Sequence, residues 1–130
     1  MTEKWVEVQQ RRGTNNIWRV LVRFSGSPTN SKEVDDYLEE ICTIYNRNEP
    51  FIIIYDAKDV GFGSAAYVSR QVEFMRSKDM ESRRLIKKCA IIAPTSFVQG
   101  ILEIIFKAKP AACPLKIVNS MEEAKHFVKD

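Results

Sequence analysis

Histidine is all but missing from this chain of 130 residues: His126, near the end, is the single one. That excludes multi-histidine metal sites and leaves little for proton shuttling. On its amphipathic helix it reads as a surface residue. Cysteine is sparse as well. Cys42, Cys89 and Cys113 are an odd number without metal-ligand spacing, so no metal is expected, and they read as reduced thiols of a cytosolic protein. Cys42 and Cys89 fall in apolar patterns and are expected in the core. Long hydrophobic runs are missing too. Phe51 to Tyr55 and Ala90 to Pro94 are far too short to span a bilayer. The opening MTEKWVEV has neither the basic nor the apolar region of a secretory signal. Net charge is only +3, too mild to imply nucleic acid.

Catalytic motifs are equally thin. No GxSxG, HExxH, CxxC, Walker A or kinase signature is present. Gly61-Phe62-Gly63 lacks the third glycine of a dinucleotide fingerprint. Glu39 and Glu40 are adjacent, and adjacent helical residues diverge. No nucleophile stands with a nearby base. The expectation is a protein that is not an enzyme and carries no cofactor.

What is present is one domain's worth of alternating elements. At 45% hydrophobic and 28% charged residues the composition is globular, and residues 1–130 read as a single domain. Trp5 to Arg11 and Ile17 to Gly26 alternate as strands around the turn RRGTNN, where Gly13 and Asn15–Asn16 suit positive φ. Asn30 caps a helix with Glu33 as return partner, and Val34, Leu38, Ile41, Ile44 and Tyr45 follow at helical spacing. FIIIYDA reads as a buried parallel strand and KDVGFGS as a loop. A helix runs from near Ser64 to Lys78. MESRRLIKK is a short basic connector or a helical turn, Lys88 to Pro94 a strand, Thr95 or Ser96 the cap of a helix to Ala108, and Leu115 to Val118 a last strand. Ser120 and Glu123 open the closing helix. The order ββαβαβαβα predicts an α/β fold, a single mixed and mostly parallel sheet covered by helices.

Three features are candidate binding surfaces. The first is the loop that leaves the strand FIIIYDA, with Asp56, Lys58, Asp59, Gly61, Gly63 and Ser64. In open α/β sheets ligands bind at such strand ends, and Gly61 and Gly63 permit close backbone approach. A connection with Ser64 as helix cap fits as well. The second is the helix Ser96 to Ala108. Its apolar residues, among them Phe97, Ile101, Leu102, Ile105 and Phe106, span an arc of roughly 200°, wider than a sheet-covering stripe, with Leu102 and Phe106 at its far edge. That suits a covering neighbour, a dimer seam, a partner groove or a hydrophobic ligand. The third is basic: Arg83, Arg84, Lys87 and Lys88, a solvated face or a contact for anionic headgroups. No aromatic stacking pattern accompanies it, which argues against nucleic acid.

The stretch RLIKKCAIIAPTSFVQGILEIIFK, followed by LKIVNSMEEA, resembles the C-terminal half of CRAL-TRIO (Sec14-like) domains, including the BCH type. FIIIYDAKD looks like that family's central strand ending in Asp, so the resemblance covers Phe51 to Val128. The element order, and EEAKHFV as a closing helix, also resemble STAS and SpoIIAA-like proteins. The CRAL-TRIO resemblance implies a module for a hydrophobic ligand, a lipid surface or a protein partner, cytoplasmic or peripheral at membranes. The STAS resemblance implies a regulatory scaffold that acts through protein contacts as a homodimer. The leading helical segment of Sec14-like carriers has no counterpart here. Lys58 stands where anti-sigma antagonists carry their phosphorylatable hydroxyl, and Ser64 is the nearest substitute.

Overall fold

Alternation along the first two strands builds a hairpin. β1 (Val6–Arg12) pairs antiparallel with β2 (Trp18–Gly26), and the turn between them uses Asn16 at φ 66. Gly13 does not take the positive φ expected of it and serves by close approach instead: a Cβ there would lie 2.7 Å from Arg19 Nε and 3.0 Å from Ile17 O. The remaining strands join in parallel. They are β3 (Phe51–Val60), β4 (Ile86–Ile92) and β5 (Leu115–Val118), and the sheet order is β1-β2-β3-β4-β5. The computed structural model describes residues 5–13, 15–60, 65–93, 95–108 and 110–129, excluding the side chains of residues 60, 65–69, 72, 97, 98, 101 and 105.

Because each parallel crossover steps the same way, right-handed connections put their helices on one face. These are α1 (Ser31–Asn46), α2 (Ala65–Ser77), α3 (Asp79–Leu85) and α4 (Ser96–Ala108). Tyr37, Ile41 and Ile44 of α1, Phe74 of α2, Leu85 of α3 and Leu102 and Phe106 of α4 meet Val20, Val22, Phe51, Ile53 and Cys89 of the sheet in the larger core. α5 (Met121–Val128) follows the last strand and crosses to the second face. There Ala124 and Val128 cover Ile52, Ile54, Ala90, Ile92 and Val118. On the second face Leu21 of β2 packs against this smaller core, whereas Glu7, Gln9 and Arg11 of β1 and Arg23 of β2 are exposed.

Local chemistry sets the boundaries. Asn30 accepts from Glu33 N at 3.0 Å, and Glu33 Oε2 accepts from Thr29 N at 2.9 Å, which holds the Glu33 carboxyl below its usual range. Ser120 and Glu123 repeat the arrangement, with Glu123 Oε2 accepting from Asn119 N at 3.1 Å. α1 ends with Asn48 in the left-handed region at φ 59.

Four expectations are corrected. β3 does not stop at Ala57 but pairs on to Val60. The basic connector is more than a single helical turn: it holds a seven-residue helix, α3, with Asp79 and Glu81 in its first turn and Arg83 and Arg84 in its last, a charge order that suits the helix dipole. β4 starts at Ile86 rather than Lys88, because Leu85 and Ile86 are themselves buried. Of the two cysteines expected in the core, Cys89 is buried, whereas Cys42 is half-buried on α1.

Candidate functional site

The carboxyl ends of β2 and β3 meet at a buried charge. Asp56 is 1% exposed, although it is the first polar residue after five buried apolar ones. It lies beside Arg23 in the register, and Arg23 Nε approaches Asp56 Oδ2 to 3.5 Å. Asp56 Oδ2 accepts no hydrogen bond, so the Arg23 charge is what faces it. Asp56 Oδ1 accepts from the backbone N–H of Lys58 at 3.2 Å. This Asx-type bond bends the strand at the place where the register slips. Arg23 pairs with Asp56, but Ser25 pairs with Asp59, so β3 carries one extra residue there. Lys58 and Asp59 are both exposed beyond the bulge. Gly61, Gly63 and Ser64 lie outside the described residues.

Behind this edge, on the larger core's face, stands an aromatic block. Trp5 and Phe24 stack at 5.5 Å between ring centroids, Tyr37 meets both edge-on, and Tyr55 lies parallel to Phe24 at 6.4 Å. Burial pushes the Tyr37 and Tyr55 hydroxyls far above the ordinary phenol range. Further along, the Tyr45 and Ser82 hydroxyls hydrogen-bond at 3.0 Å and join α1 to α3.

On α4, Leu102 and Phe106 are half-buried and pack against the larger core. They are not the open margin of an apolar arc. Among the described side chains of the helix, the large apolar one that stands exposed is Ile104, at 71%. The side chains of Phe97, Ile101 and Ile105 lie outside the described ones. On the second face, the dimple between Asn15, Ile17, Arg19, Ile52 and Val128 holds about 10 Å³, room for one water at most.

The basic run is not brought to Asp56. Arg83 and Arg84 end α3, at the edge where β4 begins, whereas Asp56 stands where β3 ends. Parallel strands put those positions at opposite ends of the sheet. The run is also divided. Arg84 donates to Asn48 Oδ1. Phe51 pairs with Ile86 and Ile52 with Lys88, so Lys87 is the bulged residue and is exposed. Lys88 turns to the second face, where its Nζ donates to Phe127 O at 3.0 Å. A cationic headgroup cradle built from all four is therefore not assembled.

Two groups of contacts escaped the sequence reading. In the sequence Arg23 is one of the polar positions of the alternating strand Ile17 to Gly26. An arginine at such a position, beside a central strand ending in Asp, is the signal that could have found the pair. The other group is Trp18, with the Arg47 guanidinium 3.9 Å and the Arg12 guanidinium 4.7 Å from its ring centroid. Its indole N–H donates to Glu49 at 2.9 Å, which with Arg12 holds the Glu49 carboxyl low. These contacts clamp the hairpin to the end of α1. Among the described residues no three His, Cys, Asp or Glu side chains could hold a metal, and no helix is long and apolar enough to cross a membrane.

No protein-family model and no curated protein matches the chain. Among solved structures it is similar to an uncharacterized protein of the DUF3478 family, with a SpoIIAA-like fold, from Shewanella loihica PV-4. The TM-score is 0.73 at 10% identity, over 99% of this chain and 98% of that one. The comparison supports the SpoIIAA-like part of the resemblance and gives no support to the CRAL-TRIO part. The chain has a SpoIIAA-like fold: a single mixed five-stranded sheet with helices.

Proposed function

We propose that this chain is a non-catalytic binding module that acts through protein contacts at the carboxyl edge of its sheet, around Asp56, Lys58 and Asp59. The observation that carries this reading is the buried Asp56. Its two oxygens are committed to Arg23 and to the Lys58 N–H. It acts as an anchor, holding a bulge that sets an exposed cation and an exposed anion side by side. Strand ends of open α/β sheets are where such folds bind their ligands and partners. The SpoIIAA-like fold is compatible with a STAS-type scaffold by fold analogy alone.

A hydrophobic ligand or lipid surface is the second reading, and the exposed Ile104 and Met80 favour it. It is weaker, because Leu102 and Phe106, two of the helix residues that would supply the contact area, are half-buried against the core.

The test pairs immobilised wild-type protein with a Lys58→Glu/Asp59→Lys variant and with Ser64→Glu. A partner held by the wild type and released by the charge exchange is the expected result. Native mass spectrometry after exposure to a cell lipid extract is run alongside. A stoichiometric lipid adduct that the charge exchange leaves untouched would replace this reading with the ligand one.

A further inference from the structure

The outer edge of β1 has no neighbour among the described elements, since β1 ends the sheet order. Its hydrogen-bonding groups can be assigned residue by residue. Ser25 N donates to Trp5 O at 2.7 Å and Gly13 N to Ile17 O at 2.8 Å, and both pairs obey the β1–β2 register. The odd positions of β1 therefore spend their backbone groups on β2. Val6, Val8, Gln10 and Arg12 aim theirs outward.

That edge is poorly guarded. VEVQQRR contains no Pro and no bulge, and it runs for seven residues. The opposite margin, β5, is only four residues long and follows Pro114. On the second face of β1, Glu7, Gln9 and Arg11 stand exposed in a row. Glu7 accepts from the Gln9 amide at 2.5 Å, and Arg11 has no acidic partner among the described residues.

From this geometry we infer that β1 pairs antiparallel with β1 of a second copy of this chain, about a twofold axis at Gln9. Outward groups on even positions admit only registers in which even residues face even ones. Of the registers centred on Val8, Gln9 and Gln10, only the central one sets Glu7 against the partner's Arg11. By symmetry it sets Arg11 against the partner's Glu7. Val8 then exchanges hydrogen bonds with the partner's Gln10, and Val6 with the partner's Arg12. The two ion pairs fall on non-hydrogen-bonded positions, where Cα atoms approach to about 4.5 Å and side chains interact most closely. A strand with one acid and one base on one face, two positions either side of a centre, is self-complementary, as a twofold interface requires. The two sheets become one continuous sheet, and their exposed margins at β1 disappear.

Sedimentation velocity on the intact protein, at concentrations up to the order of 100 μM, tests this. The expected species has twice the 15.0 kDa mass of the chain. Glu7→Arg and Arg11→Glu each set like charges opposite one another and should weaken the dimer about tenfold or more. Both residues are exposed, so far-UV circular dichroism should be unchanged. Mixing the two variants should restore a dimer that neither forms alone, because each then meets its opposite. Gln9→Cys should cross-link under mild oxidation, since that position faces itself, whereas Gln10→Cys should not. A wild-type monomer throughout the range overturns the inference. So does a dimer indifferent to both charge reversals, or one that Gln9→Cys fails to cross-link.

Discussion

Arg23 on β2 and Asp56 on β3 stand side by side in a parallel register, the first with its side chain 45% exposed, the second 1%. The arginine thus carries its charge from water to a carboxylate that water scarcely reaches. Removing it strands a buried anion, whereas removing the anion leaves a cation free to turn outward. Arg23→Met is expected to cost about 1–3 kcal/mol, reduced from the figure for a wholly buried pair by the arginine's exposure. Asp56→Asn should cost less, because the amide oxygen still accepts from Lys58 N. Urea unfolding of both single variants and the double variant checks this, and strictly additive losses would show that the pair is not coupled.

The helix α4 offers a sharper contrast. Leu102 and Phe106 pack on the core, while Ile104 points to solvent. Phe106→Asp and Leu102→Asp should therefore lower the melting temperature markedly or abolish folding, by burying a charge in place of apolar contact. Ile104→Asp should stay within about 0.5 kcal/mol of the wild type. Equal melting temperatures for all three would mean that this helix presents a different face to the sheet.

The Tyr45–Ser82 hydroxyl pair links α1 to α3 inside the larger core. Ser82→Ala should destabilise by about 1–3 kcal/mol, and Tyr45→Phe added to it should cost little more, since no orphaned hydroxyl then remains. Burial pushes Tyr45 up to about 12, from an ordinary value of 10.0. Between those two values the unfolded chain releases the phenolic proton while the native one keeps it. The native state thus binds more protons there, and stability falls as pH rises through that window. The phenolate absorbance that the wild type shows and Tyr45→Phe lacks should therefore appear late, together with unfolding. Ionisation of that difference signal at an ordinary phenol value in the folded protein would contradict the burial of this hydroxyl.

Much of the fold was readable because the signals were local. Asn16 takes the positive φ that a tight hairpin needs, and Asn30–Glu33 and Ser120–Glu123 spell their caps within four residues. The run FIIIY identified the central strand because a parallel strand is covered on both faces. What could not be read depends on neighbours distant in sequence. Lys58 and Asp59 are polar and lead into a glycine-rich string, yet they and Val60 stay in the sheet because β2 continues beside them through Ser25 and Gly26. Lys88 looked like one more surface cation, and only the slip between Phe51 and Ile52 sends it to the carbonyl of Phe127. The site divided in the same way. Asp56 was found from its place at a strand end, but Arg23 gained meaning only through a partner strand some thirty positions on. α3 carried a signal that went unused, acids leading and bases trailing over seven residues.

The spatial order of the strands is their order along the chain. Every strand therefore docks beside the one made just before it, and none has to be threaded between two already in place. Such an architecture has short-range pairings for a sheet protein, which favours rapid folding. It can also be laid down from the amino end as the chain is synthesised, with β1, β2, α1 and β3 already enclosing Val20, Tyr37, Ile41 and Ile53 before β5 exists. Growth in one direction leaves the first strand at a margin from the outset, available for pairing earlier than any other surface of the molecule.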